Sequence, residues 1–248
     1  MGKLLKYEIR KTMAVKLVIL GVTALLELLF LIGIWTDNEN NIGAGAALLF
    51  LTAFAGTLIA GLASVIILHR DMNTKQSYML FMTPNSCYRI LGAKVLENGI
   101  SILLMGAGFF ALGALDITVL FAKEGRLSTL WETFQRVMST MDSRLVLDGP
   151  MLAAFTLNLL MTWFAAVTAA YLSEVISAAL LNGRRMNGLL SFALFILLLI
   201  FEAWLENLAG GSIRDLMTSS LTRSAVALVC SAGMYFLTAQ IMERRLSV

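Results

Sequence analysis

Few side chains in this sequence could carry out covalent chemistry, and their spacing forms no catalytic or metal-binding pattern. There is one histidine, His69, and there are two cysteines, Cys87 and Cys230, among 248 residues. A zinc site built from paired histidines and cysteines, as in H-E-x-x-H, therefore lacks ligands. The sequence contains no G-x-x-x-x-G-K-[ST] loop for ATP and no G-x-S-x-G nucleophile elbow. We expect no catalytic residues, no metal and no cofactor in this chain, and no enzyme activity.

The chemistry that remains is that of carboxylates inside apolar runs. Glu27 lies in the middle of one run, and Glu174 lies beside a row of small and polar residues in another. A carboxylate within a membrane is costly, so it should face protein or a watery cavity. Such a group could bind a transported cation, or it could hydrogen-bond to a neighbouring helix. Glu202 and Glu206 are four residues apart, which predicts that they share one helical face.

The elements that position these carboxylates are membrane spans. Hydrophobic residues make up 58% of the chain and charged residues only 14%, whereas soluble domains contain about 25% charged residues. A span needs about 20 apolar residues. Six such windows predict an all-α polytopic protein with a single transmembrane domain over residues 1–248. The windows are 15–35, 43–68, 95–121, 151–181, 188–204 and 224–241.

The basic residues predict the orientation of the spans. An even number of spans places both termini on one side, and 13 of the 19 lysines and arginines fall on that side. Because basic residues concentrate in cytoplasmic loops, both termini should be cytoplasmic. The pI of about 9.0 is then explained by basic residues on the cytoplasmic side, where they would face anionic lipid. It does not argue for nucleic acid as a partner.

Two further segments have amphipathic patterns. Residues 1–14 alternate apolar and basic side chains at helical spacing, which favours a helix in the membrane interface over a merely basic flank. Residues 122–150 contain a second pattern, with apolar residues at helical spacing from Leu127 to Leu145. This pattern predicts an outer amphipathic helix, which would either rest on the bilayer or cap a cavity.

Small and polar residues line one face of two predicted spans. Thr52, Gly56 and Ser64 fall four or eight residues apart in the second span, and Asn158 and Thr162 begin a similar row in the fourth. Small faces let helix backbones approach closely, so we interpret them first as packing surfaces and second as the lining of a substrate path. The candidate path residues are Glu27, Thr52, Gly56, Asn158, Thr162 and Glu174.

The polar stretch 69–94 interrupts two apolar runs and is the candidate contact with a partner. Asp71 is a possible N-cap, apolar residues follow at helical spacing, and Pro84 would end the turn. This pattern is typical of a short helix at a membrane surface, although an ordinary amphipathic loop would share it. The candidate partner-binding residues are Asp71, Met72, Lys75, Gln76, Tyr78, Met79, Leu80 and Phe81.

Together these features resemble the permease subunit of type-2 ABC exporters. The resemblance rests on the basic segment KLLKYEIRKT, the six spans, the loop with TPNS, Arg89 and GAK, and the terminus MERRLSV. It implies that residues 71–81 form a coupling helix that fits a groove of an ATPase subunit. It also implies two permease subunits, as a homodimer, with two ATPase subunits that bind ATP and Mg. The chain departs from large members of the family in lacking a sizeable outer domain.

Within that family, short permeases resemble exporters of bacterial peptides such as bacteriocins and phenol-soluble modulins. The resemblance therefore implies export of amphipathic or hydrophobic peptides across a bacterial cytoplasmic membrane by alternating access, in contact with membrane lipid. Lipid or drug-like substrates are an alternative. A rival hypothesis is an ion-coupled secondary transporter in which Glu27 or Glu174 binds the coupling cation.

Overall fold

The computed structural model describes residues 2–73, 86–129, 131–132, 135, 149–181, 187–213 and 215–246. In this part of the chain there is no strand, and the all-α prediction is confirmed. The helices are α1 (Gly2–Trp35), α2 (Glu39–Asn73), α3 (Cys87–Lys123), α4 (Gly149–Leu181), α5 (Asn187–Gly210) and α6 (Leu216–Ile241), followed by a π-helical turn (Met242–Leu246).

All six α-helices are long and apolar enough to cross a membrane. The prediction of six such helices is confirmed, and it indicates a multi-pass membrane protein. Most helices exceed the predicted windows, because polar residues at the ends of the apolar runs continue the helix. α1, for example, contains 34 residues, a length of about 50 Å, whereas the hydrocarbon layer is about 30 Å thick.

Residues 2–14 form the first turns of α1 and are not a separate helix. The backbone is helical without a break from Gly2 to Trp35. The junction, RKTMAVK, contains neither glycine nor proline, so nothing in it interrupts the backbone hydrogen bonds. Of the outer amphipathic segment, residues 127–129, 131–132 and 135 are helical, and most of the remainder lies outside the described residues.

The chain divides into two compact units. The first unit comprises Ile9–Ala63 and Asn98–Val146, and glycines bring its helices close together. A Cβ atom on Gly45 would lie 2.9 Å from Cα of Phe30, and one on Gly56 would lie 2.8 Å from Cγ2 of Ile19. α1 and α2 can therefore approach this closely only because these positions lack side chains. Between α2 and α3, the Asn98 amide donates a 2.9 Å hydrogen bond to the Gly61 carbonyl oxygen.

The second unit comprises Met1–Glu8, Ser64–Glu97 and Leu147–Val248. Its helices α4, α5 and α6 pack against one another, and the middle of α4 is deeply buried. Tyr171 and Val175 of α4 belong to an apolar cluster with Leu68 of α2, Leu91 of α3 and Met242. The Tyr171 hydroxyl is hydrogen-bonded to the Ser64 hydroxyl, so the phenol group does not lack a polar partner within this cluster.

Asp215 forms the N-cap of α6. Its carboxylate accepts a 3.0 Å hydrogen bond from the Thr218 backbone nitrogen and another from the Thr218 hydroxyl. These hydrogen bonds lower the pKa of Asp215, because they favour the charged form. A lowered folded-state pKa stabilises the protein above the unfolded value of about 3.9, and this contribution is lost as the pH falls through the folded value.

We therefore expect Asp215→Ala to lower the melting temperature by a few degrees at neutral pH, with a smaller difference in strong acid. Asp215→Asn should retain most of the cap, because an amide oxygen also accepts from Thr218. Thermal unfolding in detergent at several pH values measures both effects. Equal melting temperatures for the wild type and Asp215→Ala would show that the cap contributes nothing.

Candidate functional site

A buried ion-pair cluster joins three helices at the two ends of the segment 74–85. Lys94 of α3 is 1% exposed, and its ammonium group donates 2.9 Å hydrogen bonds to Oε2 of Glu8 and to Oδ2 of Asp71. Glu8 belongs to α1 and Asp71 to the end of α2, and both are buried. The two carboxylates compensate the positive charge of the buried ammonium group. We call these three residues the Lys94 cluster.

The Lys94 cluster corrects the interpretation of Asp71. The N-cap prediction is wrong, because Asp71 lies inside α2, two residues before its end at Asn73, and is 2% exposed. Its carboxylate contacts Lys94 of the same chain, which lets a charged residue lie inside the helix and the protein interior. Met72 is half-buried and packs against the apolar cluster that contains Leu68. The other six candidate partner-binding residues, Lys75, Gln76, Tyr78, Met79, Leu80 and Phe81, lie outside the described residues.

A second polar network surrounds Glu174 on α4. One carboxylate oxygen is hydrogen-bonded to Nδ1 of His69 on α2, and the other accepts a 2.8 Å hydrogen bond from the Ser191 hydroxyl on α5. The Glu174 side chain is buried, whereas His69 is 42% exposed. Farther along α4, the Ser177 hydroxyl donates a 2.6 Å hydrogen bond to the Asn187 carbonyl oxygen. The network links α2, α4 and α5 through buried side chains, and it gives the single histidine a partner.

The candidate path residues of the second unit do not form one cluster. Asn158 and Thr162 lie against other helices, since the Asn158 amide donates a 3.4 Å hydrogen bond to the Ser220 carbonyl oxygen and Thr162 lies close to the Glu206 carboxyl group. Glu174 lies 12 residues after Thr162 on the same helix, a separation of about 18 Å. Within this unit, the predicted row therefore divides into two separate polar regions.

In the first unit, Gly56 is a packing position. It is buried, and Phe109 of α3 as well as Ile19 of α1 would contact a Cβ atom there. Thr52 is half-buried one turn away. The carboxyl group of Glu27 on α1 lies close to that of Asp116 on α3, and Oε2 of Glu27 is buried without a hydrogen-bond partner among the described residues. Glu27 therefore lies beside a second acidic residue on a neighbouring helix.

Two apolar cavities lie among the helices of the first unit. One has a volume of about 350 Å³ and is lined mainly by apolar side chains, with Asp116 as its charged residue. The other, of about 260 Å³, includes Lys16, whose ammonium group donates a 2.6 Å hydrogen bond to Ser101. Glu27, Thr52 and Gly56 are not among the described residues that line either cavity. These cavities could hold apolar chains, but the predicted path residues do not form them.

Sequence reasoning missed the roles of Glu8 and Lys94. Lys94 was interpreted as one of the basic residues beside a span, and Glu8 lies within a basic segment. The available signal was the single acidic residue in KLLKYEIRKT, which an interfacial helix does not require. Among the described residues, no group of three or more histidines, cysteines, aspartates and glutamates could hold a metal ion.

Comparison with known proteins gives no match: no protein-family model, curated protein or solved structure is similar to this chain. The geometry of the two polar networks and of the helices that hold them is therefore the guide to the function of this chain.

Proposed function

We propose that this chain is the permease subunit of an ATP-driven ABC exporter and that residues 71–81 contain its contact with the ATPase. The observation that carries the proposal is the Lys94 cluster. In it, the ion pair between Asp71 and Lys94 joins α2 and α3, the helices on the two sides of residues 74–85. Glu8 adds α1 to the same ion-pair cluster. A loop that passes force from a partner to helices must be attached rigidly to more than one of them, and buried ion pairs provide this attachment.

The remainder of the proposal follows from the resemblance and from the six apolar helices. Two copies of the chain associate with two ATPase subunits, which bind ATP and Mg. The complex lies in a bacterial cytoplasmic membrane with both termini of each permease in the cytoplasm. The substrate class is an amphipathic or hydrophobic peptide, for which the apolar helix surfaces are chemically suitable. Lipid or drug-like molecules are the alternative substrates.

The docking proposal predicts that acidic substitutions in the segment 74–85 strongly weaken binding of the ATPase. Replacing both Met79 and Leu80 by Asp should abolish co-purification of a P-loop ATPase from the native membrane, because apolar residues that fill a groove cannot be exchanged for carboxylates without losing the contact. Leu127→Asp is a matched control, since Leu127 is exposed and lies in a different inter-helix segment. Mass spectrometry of the gently purified chain measures the partner. A normal complex with the double variant contradicts the docking role.

A second candidate function, ion-coupled transport, is favoured by one observation, the buried Glu174 bonded to His69 and Ser191. A partly exposed histidine beside a buried carboxylate is an arrangement that proton relays use. The purified chain in liposomes without ATPase should then carry protons down a pH gradient, and Glu174→Gln should abolish the flux. Absence of proton flux through the wild-type chain counts against this function.

A further inference from the structure

A third polar group lies between α4, α5 and α6, away from both networks described above. Glu202 and Glu206 are one turn apart on α5, and Glu202 is 3% exposed. Arg223 of α6 and Thr162 of α4 both lie close to the Glu206 carboxyl group. The two glutamates also interact with each other. We call Glu202, Glu206 and Arg223 the α5–α6 charge cluster.

Three polar atoms of this cluster are buried without a partner. Oε1 of Glu202, Oε1 of Glu206 and Nε of Arg223 have no hydrogen-bond partner among the described residues. A buried polar atom left without a hydrogen bond costs about 1–3 kcal/mol, and more when the group is charged. Two acceptors and one donor of the cluster are thus left unsatisfied by the described residues.

The charges of the cluster do not balance when both carboxyl groups are ionised. Arg223 supplies one positive charge against two carboxylates. Among the described residues, α4 contributes Thr162 and Asn158 here, which carry no charge, and α6 contributes Cys230 as the remaining titratable neighbour. An uncompensated negative charge inside an apolar layer is strongly unfavourable. One more positive charge is needed in this part of the structure.

Gly210, the last residue of α5, shows that the position of Arg223 depends on close packing. A Cβ atom on Gly210 would lie 2.9 Å from Cγ and 3.1 Å from Nε of Arg223. The absence of a side chain at Gly210 therefore lets the arginine lie against the end of α5. The Ser219 hydroxyl donates a 3.0 Å hydrogen bond to the Gly210 carbonyl oxygen, which joins the same two helices.

We propose that Glu202 and Glu206 together bind one exchangeable proton, while Arg223 balances the charge of the second carboxylate. The proton converts one acceptor oxygen into a donor, so the site becomes neutral within the membrane. This inference does not depend on the ATPase contact proposed above, because it concerns different helices and a different ligand.

Infrared absorption of the purified chain in lipid at pH 7 tests the proposal, because a protonated carboxyl group absorbs separately from a carboxylate. Glu202→Gln should remove one carboxylic acid signal per chain, since the Glu206 carboxyl group is then ionised and its charge is balanced by Arg223. Arg223→Gln should add one signal, since both carboxyl groups must then be protonated. Other carboxyl groups of the chain, including Glu27 and Asp116, contribute equally to every spectrum.

Glu124→Gln is the matched control for the same change at an exposed site. Glu124 pairs with Arg126 at 3.4 Å outside the apolar helices, so its loss should leave the carboxylic acid region unchanged. If Glu202→Gln does not fold, as judged by gel filtration, Glu206→Gln takes its place, since it should remove the same single signal. Spectra at pH 7 in which the folded variants match the wild type overturn the proposal, because they show that both carboxyl groups are ionised.

Discussion

Replacing Lys94 by Met is expected to destabilise the protein by about 3–5 kcal/mol, because it removes the buried ammonium group that is bonded to two buried carboxylates. Lys94 donates to Glu8 and to Asp71, and the three side chains are almost completely buried. Methionine has a similar length, so the loss of charge dominates over the loss of volume. Thermal unfolding in detergent should show a melting temperature lower by roughly 10 °C.

A compensated variant separates the effect of charge from the effect of packing. Glu8→Gln and Asp71→Asn combined with Lys94→Met remove all three charges while they preserve the side-chain volumes. This triple variant should recover most of the lost stability, since replacing a complete buried ion-pair cluster is often nearly neutral. A single Lys94→Met variant as stable as the wild type would show that the buried ion pairs do not hold these helices together.

Gly45→Leu should have the second large effect on stability. Because a Cβ atom at this position would lie 2.9 Å from both Cα and Cβ of Phe30, the substitution pushes against the backbone of α1, which cannot move aside as a side-chain tip can. Overpacking of this kind costs about 1–3 kcal/mol or more. Thermal unfolding in detergent should therefore show a clearly lower melting temperature for this variant.

Gly43→Leu is the matched control in the same helix. No atom lies within 4 Å of a Cβ atom built on Gly43, so leucine there should change the stability little. Both variants gain the same side chain and lose the same glycine, which cancels the change in helix propensity. Similar melting temperatures for the two variants would contradict the close contact between α1 and α2.

The six helices could be predicted because a long apolar run is a local property of the sequence. The partners of polar residues could not be predicted in this way. Glu8 and Lys94 are 86 residues apart, and a lysine at the end of an apolar run is equally compatible with a lipid headgroup anchor. Only the packing of α1 against α3 distinguishes a buried ion pair from an exposed charge.

Helix ends were the other source of error. His69, Arg70 and Asp71 are polar, so they were assigned to a loop, but a polar residue does not end a helix when its backbone hydrogen bonds continue. Capping geometry is visible only in the structure, as at Asp215. Similarly, the row of small residues that contains Gly56 is compatible with the lining of a substrate path and with a helix-packing surface. A Cβ atom on Gly56 would lie 2.8 Å from Cγ2 of Ile19, which indicates a packing surface.

The Lys94 cluster also has a consequence for the order in which the chain is made. Glu8 and Asp71 precede Lys94 in the sequence, so during synthesis both carboxylates leave the ribosome before the lysine to which they are bonded. The ion pairs of the first two helices with Lys94 can therefore form only when the third helix joins them. We expect the nascent helices to remain near the insertion machinery until that moment, which would make α3 the element that releases them into the bilayer.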